Sequence, residues 1–553
     1  MRSQQMRSNQ MKENAVSSPI SAPAVATPVV LDGESLDIPA VRRVAEQRAE
    51  VSLTPQSLAK AGKSRAVFED VVRAGIPVYG VTTGYGEMIY MLVDPSRETE
   101  LQTNLVRSHS AGVGPHFPED QARAIVATRL NALAKGYSAV RPEILERLAL
   151  YLNTGLIPAI PEIGSLGASG DLAPLSHVAA TVIGEGYFLG PDGPRPVAPV
   201  LRSLGITPLE LKFKEGLALI NGTSAMTGLG ALVAGRALEQ VRHAEIVSAL
   251  LVEAVRGSMG PFQPEGHDIA RPHPGQIDTA ANMRALLRGS GLTVEHADLR
   301  RQVAAAKGDG DVTRTEIYLQ KAYSLRAMPQ VLGSVRDTLA HVSARVQTEL
   351  NSANDNPLFF EDHEVFHGAN FHGQPVAFVM DFTTIALTQL GVLAERQLNR
   401  VLNRHLSYGL PEFLVAGDPG LSSGYAGAQY PATALVAENR TIGPASTQSV
   451  PSNGDNQDIV SMGLIAARNA RRVLANNQYI LAVEFLAAAS AVDVSGRYDG
   501  LGPAGRAAYD AVRSLVPPLN QDRYMADDIE TVAAALTRGE FIAAVENCGV
   551  ELR

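Results

Sequence analysis

Apolar residues recur at helical spacing over three unusually long stretches. Between Thr223 and Arg256 they fall at Met226, Leu229, Leu232, Leu238, Val241, Ile246, Leu250 and Val255, and the run stops at Gly257. A second stretch runs from Val376 to Tyr408, bracketed by Pro375 on one side and by Gly409 and Pro411 on the other. A third runs from Gln457 to about Ser490. At about 1.5 Å per residue the second alone predicts a helix about 50 Å long. Three helices of more than about 25 residues predict a mainly α protein, built on a bundle longer than one compact domain. Helices too long to bury their own apolar faces favour an oligomer.

Residues 1–30 are rich in Ser, Gln, Asn, Ala and Pro without a period, which predicts a disordered tail. The rest reads as one continuous fold over 31–553: an N-terminal region 31–220, the long-helix bundle 221–490 and a C-terminal helical region 491–553. The nearest thing to a linker, Gly190-Pro-Asp-Gly-Pro-Arg-Pro196, reads as a surface turn. Between the helices lie polar, glycine-rich loops: Val81-Thr-Thr-Gly-Tyr-Gly-Glu87, Gly164-Ser-Leu-Gly-Ala-Ser-Gly-Asp171, Asn351-Ser-Ala-Asn-Asp-Asn-Pro357 and Pro451-Ser-Asn-Gly-Asp-Asn-Gln457. Rigid helices carrying such loops are the usual setting of an active site.

Composition narrows the function classes. Lys and Arg number 48 against 57 Asp and Glu, a net charge of −9, with no long basic run. That argues against nucleic acid or an anionic membrane as partner. A single cysteine, Cys548, excludes a disulfide framework and a cysteine-rich metal cluster. No uninterrupted apolar run of about 18 residues occurs, and the first 30 residues lack the apolar stretch of a secretory signal. The expected location is the cytoplasm.

Two motifs fail on context. His363-Glu-Val-Phe-His367 matches a zinc pattern, but that chemistry needs a helix, and Gly368, Asn370 and Gly373 follow at once. The segment reads as extended, and no metal is expected. Gly228-Leu-Gly230 resembles a dinucleotide loop, yet it lies inside a helical period and reads as close helix packing.

The stretch Gly164 to Ser176 carries more chemistry. Ala168-Ser169-Gly170 sets a serine between the two smallest residues, where a tight bend is open to the chain. Attack of the Gly170 amide nitrogen on the Ala168 carbonyl carbon closes a five-membered ring with loss of water. Losing the Ser169 hydroxyl as a second water leaves an exocyclic methylidene, a strong electrophile. Asp171 and Pro174 read as the start of the next helix, its positive end toward that ring. By itself the run also fits a plain glycine turn with a helix cap.

Gly167-Ala-Ser-Gly-Asp-Leu-Ala-Pro-Leu-Ser-His177 resembles the prosthetic-group segment of the histidine, phenylalanine and tyrosine ammonia-lyase superfamily, with its related aminomutases. The likeness continues through Tyr79-Gly-Val-Thr-Thr-Gly84, Asn104-Leu-Val, Asn221-Gly-Thr223, Tyr323-Ser-Leu-Arg326, the 351–357 loop and Asn456-Gln457-Asp458, spanning about residues 35 to 550. The resemblance implies the ammonia-lyase fold and a 4-methylideneimidazol-5-one (MIO) group formed autocatalytically from Ala168, Ser169 and Gly170. It implies no metal, and a homotetramer whose active sites draw on several subunits.

It also implies roles. Tyr79, on a lid loop with glycines at 80, 84 and 86, is the base that removes the β-proton. A free phenol has a pKa of about 10, so this one must be perturbed. Tyr323 and Asn221 steady the MIO oxygen and the leaving amine. Arg326 clamps the substrate carboxylate with its planar fork. Asn453 and Gln457, four apart near a helix start, face the same pocket.

Substrate choice in the superfamily depends on the pair Ser108-His109. By resemblance this pair fits histidine lyases and bacterial tyrosine aminomutases rather than plain tyrosine or phenylalanine lyases. Gly84-Tyr-Gly-Glu-Met-Ile-Tyr-Met91 is similar to the lid of tyrosine 2,3-aminomutases from enediyne antibiotic pathways, and Gln457 stands where histidine lyases carry Glu. The stretches Arg107-Ser-His-Ser-Ala-Gly112 and Asn370-Phe-His-Gly-Gln-Pro375 fit the same subgroup. The resemblance then implies that His109 and Tyr430 bind the phenol of L-tyrosine or a close aromatic analogue, Phe371 lines the ring pocket and Glu87 lies near the amine. The expected reaction is conversion of L-tyrosine to its β-amino acid. The alternatives are an aromatic or histidine ammonia lyase and, from another class, a catalytically dead helical scaffold.

Overall fold

The computed structural model describes residues 27–308, 312–315, 317–362 and 365–553. Most of the expected tail (1–26) and the first two residues of the zinc-like motif, His363 and Glu364, lie outside the described residues. Residues 29 and 30, assigned above to the tail, instead begin strand β1 (Val29–Leu31), which pairs in parallel with β2 (Val51–Leu53). Val29 and Leu31 point into the core, the burial that holds this short strand in place.

The chain is mainly α. The helices that position the site are labelled in chain order: α1 (Glu98–His109), α2 (Glu119–Ala134), α3 (Leu172–Val182), α4 (Glu215–Ile220), α5 (Ser224–Ala254), α6 (Met328–Leu350), α7 (Gln374–Leu402), α8 (Ala426–Arg440) and α9 (Gly463–Ser495). The three long helices expected from periodicity are α5, α7 and α9. Their boundaries differ for local reasons. Pro375 lies in the first turn of α7 rather than outside it, where a missing amide proton costs nothing. That helix stops at Leu402, short of Tyr408, because Asn403 turns extended and its side chain accepts from the His405 amide at 2.9 Å. Helix α9 begins at Gly463, not Gln457, since Met462 just before it holds a left-handed φ of 53°. Left-handed Gly496 ends it.

Helices α5, α7 and α9 start together. β-carbons on Gly373 and Gly463, at the starts of α7 and α9, would both collide with the Met226 sulfur in the first turn of α5. Helix α6 runs the other way, and beyond its end Asn354 donates to the Thr223 hydroxyl at 2.8 Å. Two apolar cores are strung along these helices: α5 gives residues up to Ala234 to one and from Ala237 onward to the other. Gly228 lets α5 approach α2, a β-carbon there lying 2.8 Å from the Ala124 carbonyl oxygen, so this glycine serves helix packing. Helices α7 and α9 are long and apolar enough to cross a membrane, but 67% and 72% of their apolar windows are buried inside the protein. Burial of that extent identifies them as core helices.

Candidate active site

A cavity of about 1060 Å³ opens where the three helix starts meet. Its floor is the 164–171 loop, in which Gly167, Ser169 and Gly170 take left-handed φ values of 83°, 54° and 77°. Gly167 and Gly170 pair across the turn, and Gly170 also pairs with Gly222. The Asp171 amide donates to the Gly222 carbonyl oxygen at 2.7 Å, and the Gly222 amide donates to that of Ser169 at 3.3 Å. A β-carbon on Gly170 would collide with the Gly222 carbonyl, and one on Gly167 with the Ser461 hydroxyl. The Ala168–Ser169–Gly170 turn is thus bent back on itself and gripped between the approaches to α5 and α9. Small residues held in so tight a turn fit the MIO group.

Asp171 does not cap its own helix α3, as expected above. Its Oδ2 accepts from the Met226 amide at 2.7 Å and its Oδ1 from the Ser165 hydroxyl at 2.9 Å, so it caps α5 and ties the loop to it. Burial pushes this carboxyl up to about 7 in spite of those hydrogen bonds.

Asn221 ends α4 beside this turn. Its Nδ2 donates to Asp355 Oδ1 at 3.1 Å and to the Asn356 carbonyl oxygen at 2.9 Å, which leaves its buried Oδ1 without a partner. Behind it Lys214 Nζ lies 2.6 Å from Asp355 Oδ2, with both side chains buried. Arg129, fully buried, donates to Asn354 Oδ1 at 3.1 Å and to the Ala218 carbonyl, and burial lowers its guanidinium to about 10. An unpartnered acceptor held this rigidly is a ready receiver for the protons of an amine.

Over the cavity lies the 79–93 loop. The Gly86 amide donates to the Tyr79 hydroxyl at 2.9 Å, and the Gly84 amide to the Met91 carbonyl at 2.8 Å. The loop rests on the 452–457 turn: a β-carbon on Gly86 would collide with Asn453 Nδ2, and one on Gly454 would lie 3.3 Å from Glu87 Cγ. Asn453 and Gln457 therefore share the pocket from a tight turn rather than from one face of a helix. The Ser452 and Gln457 amides exchange hydrogen bonds with each other's carbonyls at 3.1 and 3.3 Å, and Ser452 Oγ donates to Gln457 Oε1 at 2.8 Å.

His109 and Phe371 line the same cavity. His109 Nδ1 lies 2.9 Å from the Leu105 carbonyl oxygen. A carbonyl can only accept, so Nδ1 carries the proton, shared with the Ser108 hydroxyl at 3.1 Å, and in the neutral ring Nε2 is left as an acceptor.

Glu87, expected near the amine, is exposed on the lid and is not among the residues that line the cavity. Three further expected site residues lie elsewhere in the chain. Arg326, whose Nε donates to the Lys321 carbonyl at 3.0 Å, and Tyr323 stand just before the start of α6, while Asn356, in the loop after the far end of α6, lines the cavity. That helix has 23 residues, which puts the two about 35 Å away. Tyr430 on α8 sits level with Glu395 and Asn399 of α7, to which its neighbours Thr433 and Gln429 donate at 3.1 and 3.0 Å. That level is about 30 Å along α7 from the cavity. Tyr323 and Tyr430 are each 74% exposed, so a second copy can reach them.

Sequence reasoning passed over Tyr85, Asn104, Asn356, His367, His372 and Asp458, all of which line the cavity. Most lie within motifs already quoted, where a smaller step from motif to residue finds them. Lys214 and Arg129 carry no such signal, since burial gives them their place.

The fold and this site define the class. The aromatic amino acid lyase family matches residues 36–514, and the chain belongs to that family. Among relatives, the chain is 76% identical over 518 residues to the MIO-dependent tyrosine 2,3-aminomutase of Streptomyces globisporus, covering 94% of this chain and 96% of that one. It is 58% identical over 525 residues to a tyrosine ammonia-lyase of Cupriavidus metallidurans, covering 94% and 98%. Its fold superposes on the crystal structure of the Streptomyces globisporus tyrosine aminomutase with a TM-score of 0.94 at 74% identity, covering 95% and 100%. Histidine ammonia-lyase from Trypanosoma cruzi gives 0.84 at 36% identity, covering 94% and 96%.

Proposed function

We propose that the chain is an MIO-dependent tyrosine 2,3-aminomutase, which moves the amino group of L-tyrosine, or a close ring-modified analogue, from the α- to the β-carbon. The observation that carries this reading is His109. Its free Nε2 acceptor lines a cavity that also holds the Ser169 turn and the Asn221 Oδ1, so a phenol and an amine each meet a matching group.

MIO, formed from Ala168, Ser169 and Gly170, supplies an electrophilic carbon that makes the substrate amine a better leaving group. The protein's own residues do the rest. Asn221 Oδ1 accepts from the amine and orients it. Tyr79, held by the Gly86 amide, takes the β-proton at its oxygen. Phe371 packs on the ring, and His109 with Tyr430 of a second copy holds the phenol. Arg326 and Tyr323 of a second copy reach the carboxylate and the far side of the site, so the oligomer completes it. The exposed Phe378, Phe382 and Ile385 on one stripe of α7 give a homotetramer an apolar face to bury. Glu87 at the lid and Gln457 below it keep the polar end of the site closed around the amine while water is excluded. In a cytoplasmic setting the product serves secondary metabolism.

A second reading, an ammonia lyase, is favoured by the Cupriavidus relative at 58% identity. The experiment that separates them is incubation with L-tyrosine, resolving β-tyrosine from 4-hydroxycinnamate, with Ser169→Ala as control. Mostly β-tyrosine, lost in the control, supports the aminomutase; mostly 4-hydroxycinnamate makes the protein a lyase.

A further inference from the structure

Gln102, fully buried on α1, uses all four hydrogen-bonding positions of its amide. Its Nε2 donates to the Gly80 carbonyl at 3.2 Å and to the Tyr85 hydroxyl at 2.8 Å. Its Oε1 accepts from the Gly216 and Leu217 amides at 2.9 and 3.2 Å. The first two partners belong to the lid; the other two are the first turn of α4, the helix that ends in Asn221. Lys214, which precedes α4, offers no side-chain cap, so Gln102 satisfies amides that the helix start leaves open. One side chain therefore joins the lid to the helix that presents the amine site.

Tyr85 is the lid's half of this junction. Its ring stands edge-on to Tyr79 with centroids 6.3 Å apart, and a β-carbon on Gly80 would lie 2.6 Å from its Cε1. Burial pushes its phenol well above the ordinary value, so it stays protonated. Beyond it the lid tip is exposed: Met88 by 60%, Tyr90 by 72% and Leu92 by 82%. The tip has little of its own to pack on, so its position depends on the base.

We infer that the Gln102–Tyr85 hydrogen bond is the latch that sets how the enzyme divides its product between β-tyrosine and released 4-hydroxycinnamate. The inference rests on the aminomutase reading. After L-tyrosine loses its amine and a β-proton, ammonia and the unsaturated acid either recombine at the β-carbon or leave, and the lid decides which. Gln102 and Tyr85 are positioning residues, since they act on the lid rather than on the reacting atoms. Losing one buried hydrogen bond raises the open fraction about fivefold.

Tyr85→Phe removes one oxygen and keeps the ring. The two products formed from L-tyrosine and the hydrogen exchange of residues 79–93 are measured together. The latch predicts that the ratio of 4-hydroxycinnamate to β-tyrosine rises about fivefold and that the lid amides exchange faster; Gln102→Met moves both the same way. An unchanged ratio in folded Tyr85→Phe overturns the inference, whether or not exchange quickens. If the wild type yields 4-hydroxycinnamate alone, the aminomutase reading fails. The division claim then falls with it, whereas a wild type that makes β-tyrosine and a variant whose ratio is unchanged overturn the latch alone.

Discussion

His109 Nδ1 lies 2.9 Å from the Leu105 carbonyl oxygen four residues earlier on the same helix, and that contact places the neutral ring's proton on Nδ1. Under the proposed function Nε2 discriminates a phenol from a plain ring, because an acceptor left unmatched in a closed pocket is costly. His109→Phe is expected to lower kcat/KM for L-tyrosine by about 10- to 100-fold and to lower that for L-phenylalanine far less. An equal loss on both substrates would show that His109 does not read the hydroxyl.

The distance from Arg326 to the cavity predicts complementation between copies. Ser169→Ala and Arg326→Ala are each expected to be inactive alone. Unfolding and refolding the two together lets a site combine Ser169 from one copy with Arg326 from another, and activity returns. A mixture that stays dead would mean that Arg326 serves its own chain or no site at all.

Lys214 and Asp355 form a buried ion pair directly behind Asn221. Lys214→Met leaves a buried carboxylate without its cation and is expected to cost about 3–5 kcal/mol of stability. Lys214→Met with Asp355→Leu recovers much of that stability but not activity, because Asn221 Nδ2 has lost its Asp355 partner. Denaturant midpoints and turnover measured on both variants check the two halves of this statement.

Asp171 gives a pH dependence with a definite sign. Burial raises its folded carboxyl to about 7 against an ordinary 3.8, so across that window the folded state holds a proton that the unfolded state has lost. This group's contribution to stability therefore falls as pH rises from about 4 to about 7. Asp171→Asn removes that contribution, and the Tm of the variant relative to wild type is expected to rise across the same window. A difference that is flat, or of opposite sign, contradicts the burial of an ionisable carboxyl there.

The three long helices and the reactive turn were legible in the sequence because periodicity and glycine placement are local properties. Helix ends were less so. Asn403 stops α7 by a side-chain turn, and the left-handed Met462 delays α9, and neither interrupts the apolar pattern strongly. By position Asp171 suits the cap of the helix it precedes, whereas the start of α5, distant in sequence, claims its carboxylate. Asn221 and His109 were found through the family resemblance. Lys214, Arg129 and Gln102 were not, since a buried lysine, arginine or glutamine looks like a surface one until the chain folds around it.

The central claim is that the amine stays in the closed site between leaving one carbon and joining the next. The most direct measurement uses L-tyrosine carrying 15N in an excess of unlabelled ammonium, with mass analysis of the β-tyrosine formed. Retention predicts β-tyrosine that keeps its 15N almost undiluted. Unlabelled β-tyrosine, or 4-hydroxycinnamate in its place, would show that the site opens before the amine returns and would contradict the account.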